Sequence, residues 1–256
     1  GIAEEHAVSM AGGMAKQGQL PVFAVYSSFL QRAFDMLIHD ISLQDLHAVF
    51  AVDRSGLVGR DGETHQGSFD VSFLSTVPGM TIYAPASFSE LDAMLGLALY
   101  GCDGPVAIRY PRGGEGAYHD CHTEAEFVLR EGSDLTIVSY GVMINEALEA
   151  ADRLAEDGIM AEVIKIGRIR PNSFDETRLS VGKTKRLVVA EDVCAFGSVG
   201  SQILSSLAGV TEGFDYQLLN LGDGIVQHGS VEELRRMRGI DAQGIARAGR
   251  TLSSEE

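Results

Sequence analysis

Residues able to do chemistry cluster in a few short stretches of this chain. The longest is 53–67, DRSGLVGRDGETHQG, directly after the apolar run 48–52. That run reads as a buried strand, and the residues beyond it are irregular, with four glycines up to Gly67. A loop of this length is uncommon in a compact domain unless it is functional or disordered. Loops beyond the carboxyl ends of strands are where open α/β sheets bind ligands. Arg54 comes directly after the strand, and Asp61 precedes His65 by four residues. The plain alternative for a loop histidine is a solvated or capping side chain.

Three further stretches carry candidates. Glu4 and Glu5 open a helical run rich in small residues. Carboxylates there offset the positive helix end, and that alone could explain them. Tyr26, Phe29 and Arg32 fall around a strand-to-helix junction. An aromatic pair with a guanidinium suits a flat ring ligand, although both rings could equally be core. Arg112 lies in the PRGG turn that ends another strand, a good place to meet a phosphate and also the ordinary place for a surface salt bridge. His119, Cys121 and His122 match no zinc spacing and read as solvated linker.

Elements that would position these groups alternate along the chain. Strands are expected at 20–26, 48–52, 80–85 and 105–110. Before the first comes a helical stretch at 7–15 rich in small residues, which should pack closely against a neighbour, and between the strands an amphipathic helix at 29–40 and a helix at 87–100 capped by Ser87 with Glu90 completing a capping box. Residues 115–131 read as a linker with a short edge strand. Strands follow at 134–141, 161–166, 186–191 and 214–221, with helices at 143–157, 198–207 and 231–239. Such alternation in both halves predicts two doubly wound α/β domains with mostly parallel sheets.

The 256 residues are 45% hydrophobic and 22% charged, which is ordinary for a globular protein. A net charge of −16 argues against a general nucleic-acid or anionic-membrane surface, since either needs a basic face. A few local arginines could still hold an anionic substrate. No apolar run is long enough to span a bilayer. Three cysteines without framework spacing favour a reducing, cytoplasmic setting. The chain begins at Gly1 inside a helical pattern, which reads as a piece of a longer protein.

Taken together, GIAEEHAVSMAGGMA, YSSFLQRAFDMLIHD, DRSGLVGRDGETHQGSFD and AIRYPRG closely resemble the 1-deoxy-D-xylulose-5-phosphate synthase family. These are transketolase-like, thiamine-diphosphate-dependent enzymes. The resemblance covers the whole chain and is strongest up to Gly114. It implies a pyrimidine-binding domain at 1–122 and a transketolase C-terminal domain at 123–256. The family's N-terminal domain, with a GDG…N motif for Mg²⁺ and diphosphate, has no counterpart here. Gly222-Asp223-Gly224 is a decoy read as a turn, because no Asn comes after it.

The resemblance also implies roles. Glu4 matches the glutamate that hydrogen-bonds the cofactor's aminopyrimidine nitrogen, and Glu5 stands where Gln is usual. Phe29 matches the ring that stacks on the pyrimidine, with Tyr26 and Arg32 beside it. Arg54 and Arg112 match the pair that binds the phosphate of glyceraldehyde 3-phosphate. Asp61 and His65 match polar groups that orient pyruvate or the aldehyde. The implied reaction condenses pyruvate with glyceraldehyde 3-phosphate to 1-deoxy-D-xylulose 5-phosphate and CO₂, a step toward isoprenoids, thiamine and pyridoxal. Also implied are a homodimer, no metal ligand within this chain, and little activity without the missing domain. Two other readings fit the same segments: a separately encoded C-terminal subunit of a transketolase or 2-oxo acid dehydrogenase, and a non-catalytic dimerising module.

Overall fold

The computed structural model describes residues 1–254 and contains two five-stranded sheets flanked by helices. Helix α1 (Glu4–Lys16) leads into β1 (Val22–Tyr26). A broken helical segment follows, starting with α2 (Ser27–Leu30) and continuing through α3 (Phe34–Met36). Next come β2 (Val49–Asp53), α4 (Asp70–Ser75), β3 (Thr81–Tyr83), α5 (Phe88–Tyr100) and β4 (Val106–Arg109). The second half runs β5 (Glu126–Arg130), β6 (Leu135–Tyr140), α6 (Ile144–Glu156), β7 (Ala161–Ile166), β8 (Arg168–Arg170) and α7 (Asp175–Thr184). It ends with β9 (Arg186–Ala190), α8 (Val199–Leu207), β10 (Asp215–Leu219), α9 (Val231–Arg238) and α10 (Ala242–Ser254).

The first sheet has the order β1-β2-β4-β3-β8 and the second β10-β9-β6-β7-β5. All pairings are parallel except those of β8 with β3 and of β5 with β7. Both sheets are therefore covered on two faces, and strands such as β4, β6 and β7 are buried at every residue. The main core cluster is continuous across the halves, from Phe50 and Leu74 to Ile164 and Ile203.

Several elements depart from the sequence reading. The helix expected at 29–40 is broken into short α and 3₁₀ turns and ends in a π turn over Leu37–Ile41. Leu30, Ala33, Leu37 and Ile41 remain buried, so burial is kept while the helical winding changes. The wide turn brings Asp40 against α1. Ser9 Oγ donates to Asp40 Oδ2 at 2.5 Å, and a Cβ on Gly12 would meet the Asp40 carbonyl oxygen at 2.8 Å. Gly12 of α1 is thus explained by this close approach.

Glu90 is a second departure. Ser87 caps α5 by accepting from Glu90 N at 3.1 Å, but the buried Glu90 carboxylate accepts from Ala86 N, just before the cap, at 2.8 Å rather than closing a box on Ser87 N. Helices α7 and α10 and the pairing of β8 were not legible. The buried face of α7 is polar, with Thr136 Oγ1 bonded to the hydroxyls of Ser180 and Thr184 at 2.6 and 2.7 Å. α10 buries mostly Ala and Gly, whose periodicity is faint. The 115–131 linker is also not simply solvated: Tyr118 is buried and His122 stacks on Phe127 at 3.5 Å, while His119 and Cys121 are exposed.

Candidate active site

Strands β1, β2 and β4 are parallel neighbours, in register Tyr26↔Asp53 and Val52↔Arg109. Their carboxyl ends therefore emerge side by side along one edge of the sheet, the usual ligand edge of an α/β fold. Tyr26 closes β1, Arg54 follows β2 directly, and Arg112 lies in the turn after β4. The broken segment after β1 then carries Phe29 and Arg32 back across the same edge.

All eight sequence-predicted site residues join in one unbroken path of contacts. At one end, Glu4 Oε1 pairs with Arg32 Nη1 at 3.4 Å. The Arg32 guanidinium lies 4.9 Å from the centre of the Phe29 ring. Phe29 stacks with Tyr26 at 5.3 Å and 19°, and meets His65 edge-on at 5.3 Å and 66°. Arg54 covers the Tyr26 ring at 3.8 Å. Arg54 Nε donates to Asp61 Oδ2 at 3.3 Å, and Arg112 Nη1 donates to Asp61 Oδ1 at 2.7 Å. Aromatic faces and guanidiniums thus alternate along the path, each cation seated on a ring or a carboxylate.

The two ends differ in how well their charges are satisfied. Glu4 sits in the first turn of α1, its side chain only 14% exposed, and its Oε2 is buried with no hydrogen-bond partner. It lines a cavity of about 360 Å³ together with Ala7, Tyr26 and Phe29. A buried carboxylate oxygen left open is costly and calls for a donor from outside the chain. At the other end Asp61 pairs with Arg54 and Arg112 at once, so both guanidiniums already converge on a single anionic group.

Arg54 is held in an unusual backbone state, with φ +60°. Non-glycine residues rarely adopt this region, and such strain gathers at functional sites. The turn is supported by Asp53, whose Oδ1 accepts from Arg54 N at 2.7 Å while Oδ2 takes Nη1 at 2.5 Å. Burial works against the Arg54 charge, but Asp53 and Asp61 outweigh it and hold the guanidinium proton more tightly than usual. His65 Nδ1 lies 2.9 Å from Thr64 Oγ1.

Sequence reasoning missed the charges beneath the site. Arg109 is buried and donates Nε and Nη2 to the Asp70 carboxylate at 2.9 and 3.3 Å. Its other near partner is Asp192, from the second half, at 3.9 Å. Despite burial, Asp70 above all, then Tyr140 and Asp192, keep Arg109 firmly protonated. Tyr140 OH in turn donates to Glu191 Oε2 at 2.8 Å, and Glu191 accepts from Val199 N and Gly200 N at the start of α8. Nearby, Glu90 pairs with fully buried Lys165 at 3.0 Å and accepts from Tyr118 OH at 2.7 Å. Arg109 and Asp70 stand within the AIRYPRG and GSFD segments, yet nothing in their spacing marks them as a pair. Among the described residues no group of three or more His, Cys, Asp or Glu could hold a metal ion.

Comparison with known proteins places both halves of the chain in known families. Residues 1–114 match the family model of the transketolase pyrimidine-binding domain, and residues 124–245 that of the transketolase C-terminal domain. A 1-deoxy-D-xylulose-5-phosphate synthase of Chlorobium luteolum is 45% identical over 253 residues, 96% of this chain and 40% of the relative. The synthase of Heliobacterium modesticaldum is 43% identical, over 100% of this chain and 40% of its own length. The chain therefore spans about two-fifths of the relatives it matches. Among solved structures, a split-gene transketolase, described as an inactive β4 tetramer, superposes with TM-score 0.87 at 26% identity, over 98% of this chain and 82% of that one.

Proposed function

The chain belongs to the transketolase family, as a pyrimidine-binding domain followed by a C-terminal domain, and on that premise we propose that it forms the corresponding part of a 1-deoxy-D-xylulose-5-phosphate synthase. The observation that carries this reading is the unbroken path from Glu4 to Arg112. It joins a carboxylate and a ring suited to a heteroaromatic cofactor with paired guanidiniums suited to a phosphate.

Thiamine diphosphate fits the Glu4 end. The open Glu4 Oε2 would accept from the aminopyrimidine ring, and Phe29, on the same cavity, would offer its face. When bound, this cofactor supplies an electron sink for the carbon that loses CO₂. The chain's own task is orientation. Glu4, held by Arg32, presents a largely buried carboxylate to the cavity, placed to accept from the ring. Arg54 and Arg112 hold the aldehyde's phosphate where they now share Asp61, and Asp61 with His65 orients the reacting groups.

Mg²⁺ and the diphosphate would be held by residues outside this stretch, since the GDG…N motif does not occur here. Among the described residues no helix is long and apolar enough to cross a membrane. Three cysteines without framework spacing support a reducing, cytoplasmic setting for the enzyme. Met10 and Met14 on α1, with Leu20 and Val22 beside them, are exposed and support pairing into a homodimer.

The test is turnover by the full-length enzyme with pyruvate, glyceraldehyde 3-phosphate, thiamine diphosphate and Mg²⁺. Formation of 1-deoxy-D-xylulose 5-phosphate with CO₂ is expected. Turnover of ketose phosphates in place of pyruvate would overturn the synthase reading in favour of a transketolase. The match to a split-gene transketolase over nearly the whole chain supports a second reading, a separately encoded subunit. In either case these 256 residues alone should be inert. Activity gained only on mixing with a separate diphosphate-binding polypeptide would select the subunit.

A further inference from the structure

The loop at 53–67 is fastened at its base to itself and along its outer part to the second half of the chain. Gly56 and Gly67 exchange two backbone hydrogen bonds of 2.8 Å, which close the base. At Gly56, where φ is +74°, a Cβ would overlap the Asp192 carboxylate, and Asp192 Oδ2 accepts from Leu57 N at 3.4 Å. Leu57 is inserted into an apolar cluster otherwise made by second-half residues, among them Met143, Val226 and Leu234. Gly59 lies against Val231 at the start of α9.

Gln66 spans these two fastenings. It is 5% exposed, its Oε1 accepts from Val58 N at 2.9 Å, and its Nε2 donates to the Gln227 carbonyl at 3.3 Å. One amide therefore ties the outgoing strand of the loop to its return and both to the second half. Its neighbour His65 touches Phe29, and Asp61, between Val58 and Gln66, bridges Arg54 and Arg112. We infer that Gln66 is a positioning residue through which the C-terminal half sets the separation of the two phosphate-binding arginines. The inference rests on the synthase reading. Gln66 touches no proposed reacting group and acts only through the loop. Placement errors of a fraction of an ångström at such a site are enough to cost binding.

The test uses the full-length enzyme. Gln66→Leu should raise the KM for glyceraldehyde 3-phosphate about tenfold, the worth of one or two lost hydrogen bonds. The KM for pyruvate and the affinity for thiamine diphosphate should stay unchanged. Hydrogen exchange at the amides of 56–67 should quicken while β2 and β4 stay protected. Gln66→Glu keeps the acceptor for Val58 N but loses the donor to Gln227, so its KM should fall between those of Gln66→Leu and the parent. A parallel Arg54→Ala separates the two ideas. If Arg54→Ala raises the aldehyde KM and Gln66→Leu does not, or if Gln66→Leu shifts the constants for both substrates together, the positioning role is overturned. If neither variant affects the aldehyde, the synthase reading itself fails. Should Gln66→Leu not fold, Leu234→Ala, which loosens the seat of Leu57, takes the same readout: an aldehyde-specific KM rise supports the clamp and its absence overturns it.

Discussion

Charge is handled differently in the joint between the halves and along the candidate site. In the joint, Asp70 with Arg109 and Glu90 with Lys165 are almost wholly removed from solvent. Asp70 takes two donors from Arg109, and Glu90 takes Lys165, Tyr118 OH and two backbone N–H groups. Along the site, Glu4 keeps one buried oxygen open, Asp61 is 26% exposed, and Arg112 is 43% exposed. Burying charge is tolerable only when every lone pair and proton is met, so the joint is complete in itself. The candidate site leaves Glu4 Oε2 open and Asp61 and Arg112 partly exposed, as the proposed ligands would require. The contrast separates the closed charge of the joint from the open charge of the candidate site without reference to residue type, since Glu, Asp and Arg occur in both.

The first way to break this contrast is Lys165→Met. It strands Glu90 in the interior and should cost about 3–5 kcal/mol, read from urea unfolding. A loss under 1 kcal/mol, roughly the ordinary worth of exposed pairs, would show the joint to be no different from the surface. Next in size is Glu4→Ala in the full-length enzyme. Turnover should fall about a hundredfold, a typical share for a proton-handling group, with cofactor affinity and stability far less affected. Near-normal turnover would remove Glu4 from the site. Third, Arg54→Ala and Arg112→Ala should each raise the KM of the phosphorylated aldehyde about tenfold or more. A change confined to pyruvate would contradict the phosphate assignment. Fourth, Asp61→Asn frees both guanidiniums from a competing carboxylate, so inorganic phosphate should bind a few-fold more tightly by calorimetry.

The smallest effect is in pH. Burial draws the Lys165 ammonium below its ordinary value of 10.5, with Glu90 pulling the other way. Below 10.5 the unfolded chain then holds this proton more firmly than the folded one, so stability contributed here rises with pH up to that value. The slope of the unfolding midpoint between neutrality and about pH 10 should flatten in Lys165→Met, and an unchanged slope would assign the lowered value to something else.

Much of the strand pattern could be read directly from the chain. Val49, Phe50, Val52 and the fully buried run of β6 announce parallel strands because both their faces are covered. The candidate site residues stand out for a different reason: they lie in short segments whose residue types are distinctive together, close to strand ends. The features that stayed hidden depend on partners distant in sequence. The π turn at Leu37–Ile41 forms where Asp40 meets Ser9 across α1. Glu90 reads locally as a cap, but a buried Lys165 draws its carboxylate inward. β8 is only three residues long and acquires its identity from pairing with β3.

By itself, then, the sequence determined the order of most strands and of the more strongly patterned helices, and the chemistry available at each strand end, because periodicity and residue type are local properties. Only the tertiary structure decided that β1, β2 and β4 lie side by side, which turns Glu4, Tyr26, Phe29, Arg32, Arg54, Asp61, His65 and Arg112 into one connected surface. It alone also decided that the second half clamps the loop through Asp192 and Gln227, since hydrogen bonds and ion pairs over such separations leave no periodic trace in the chain.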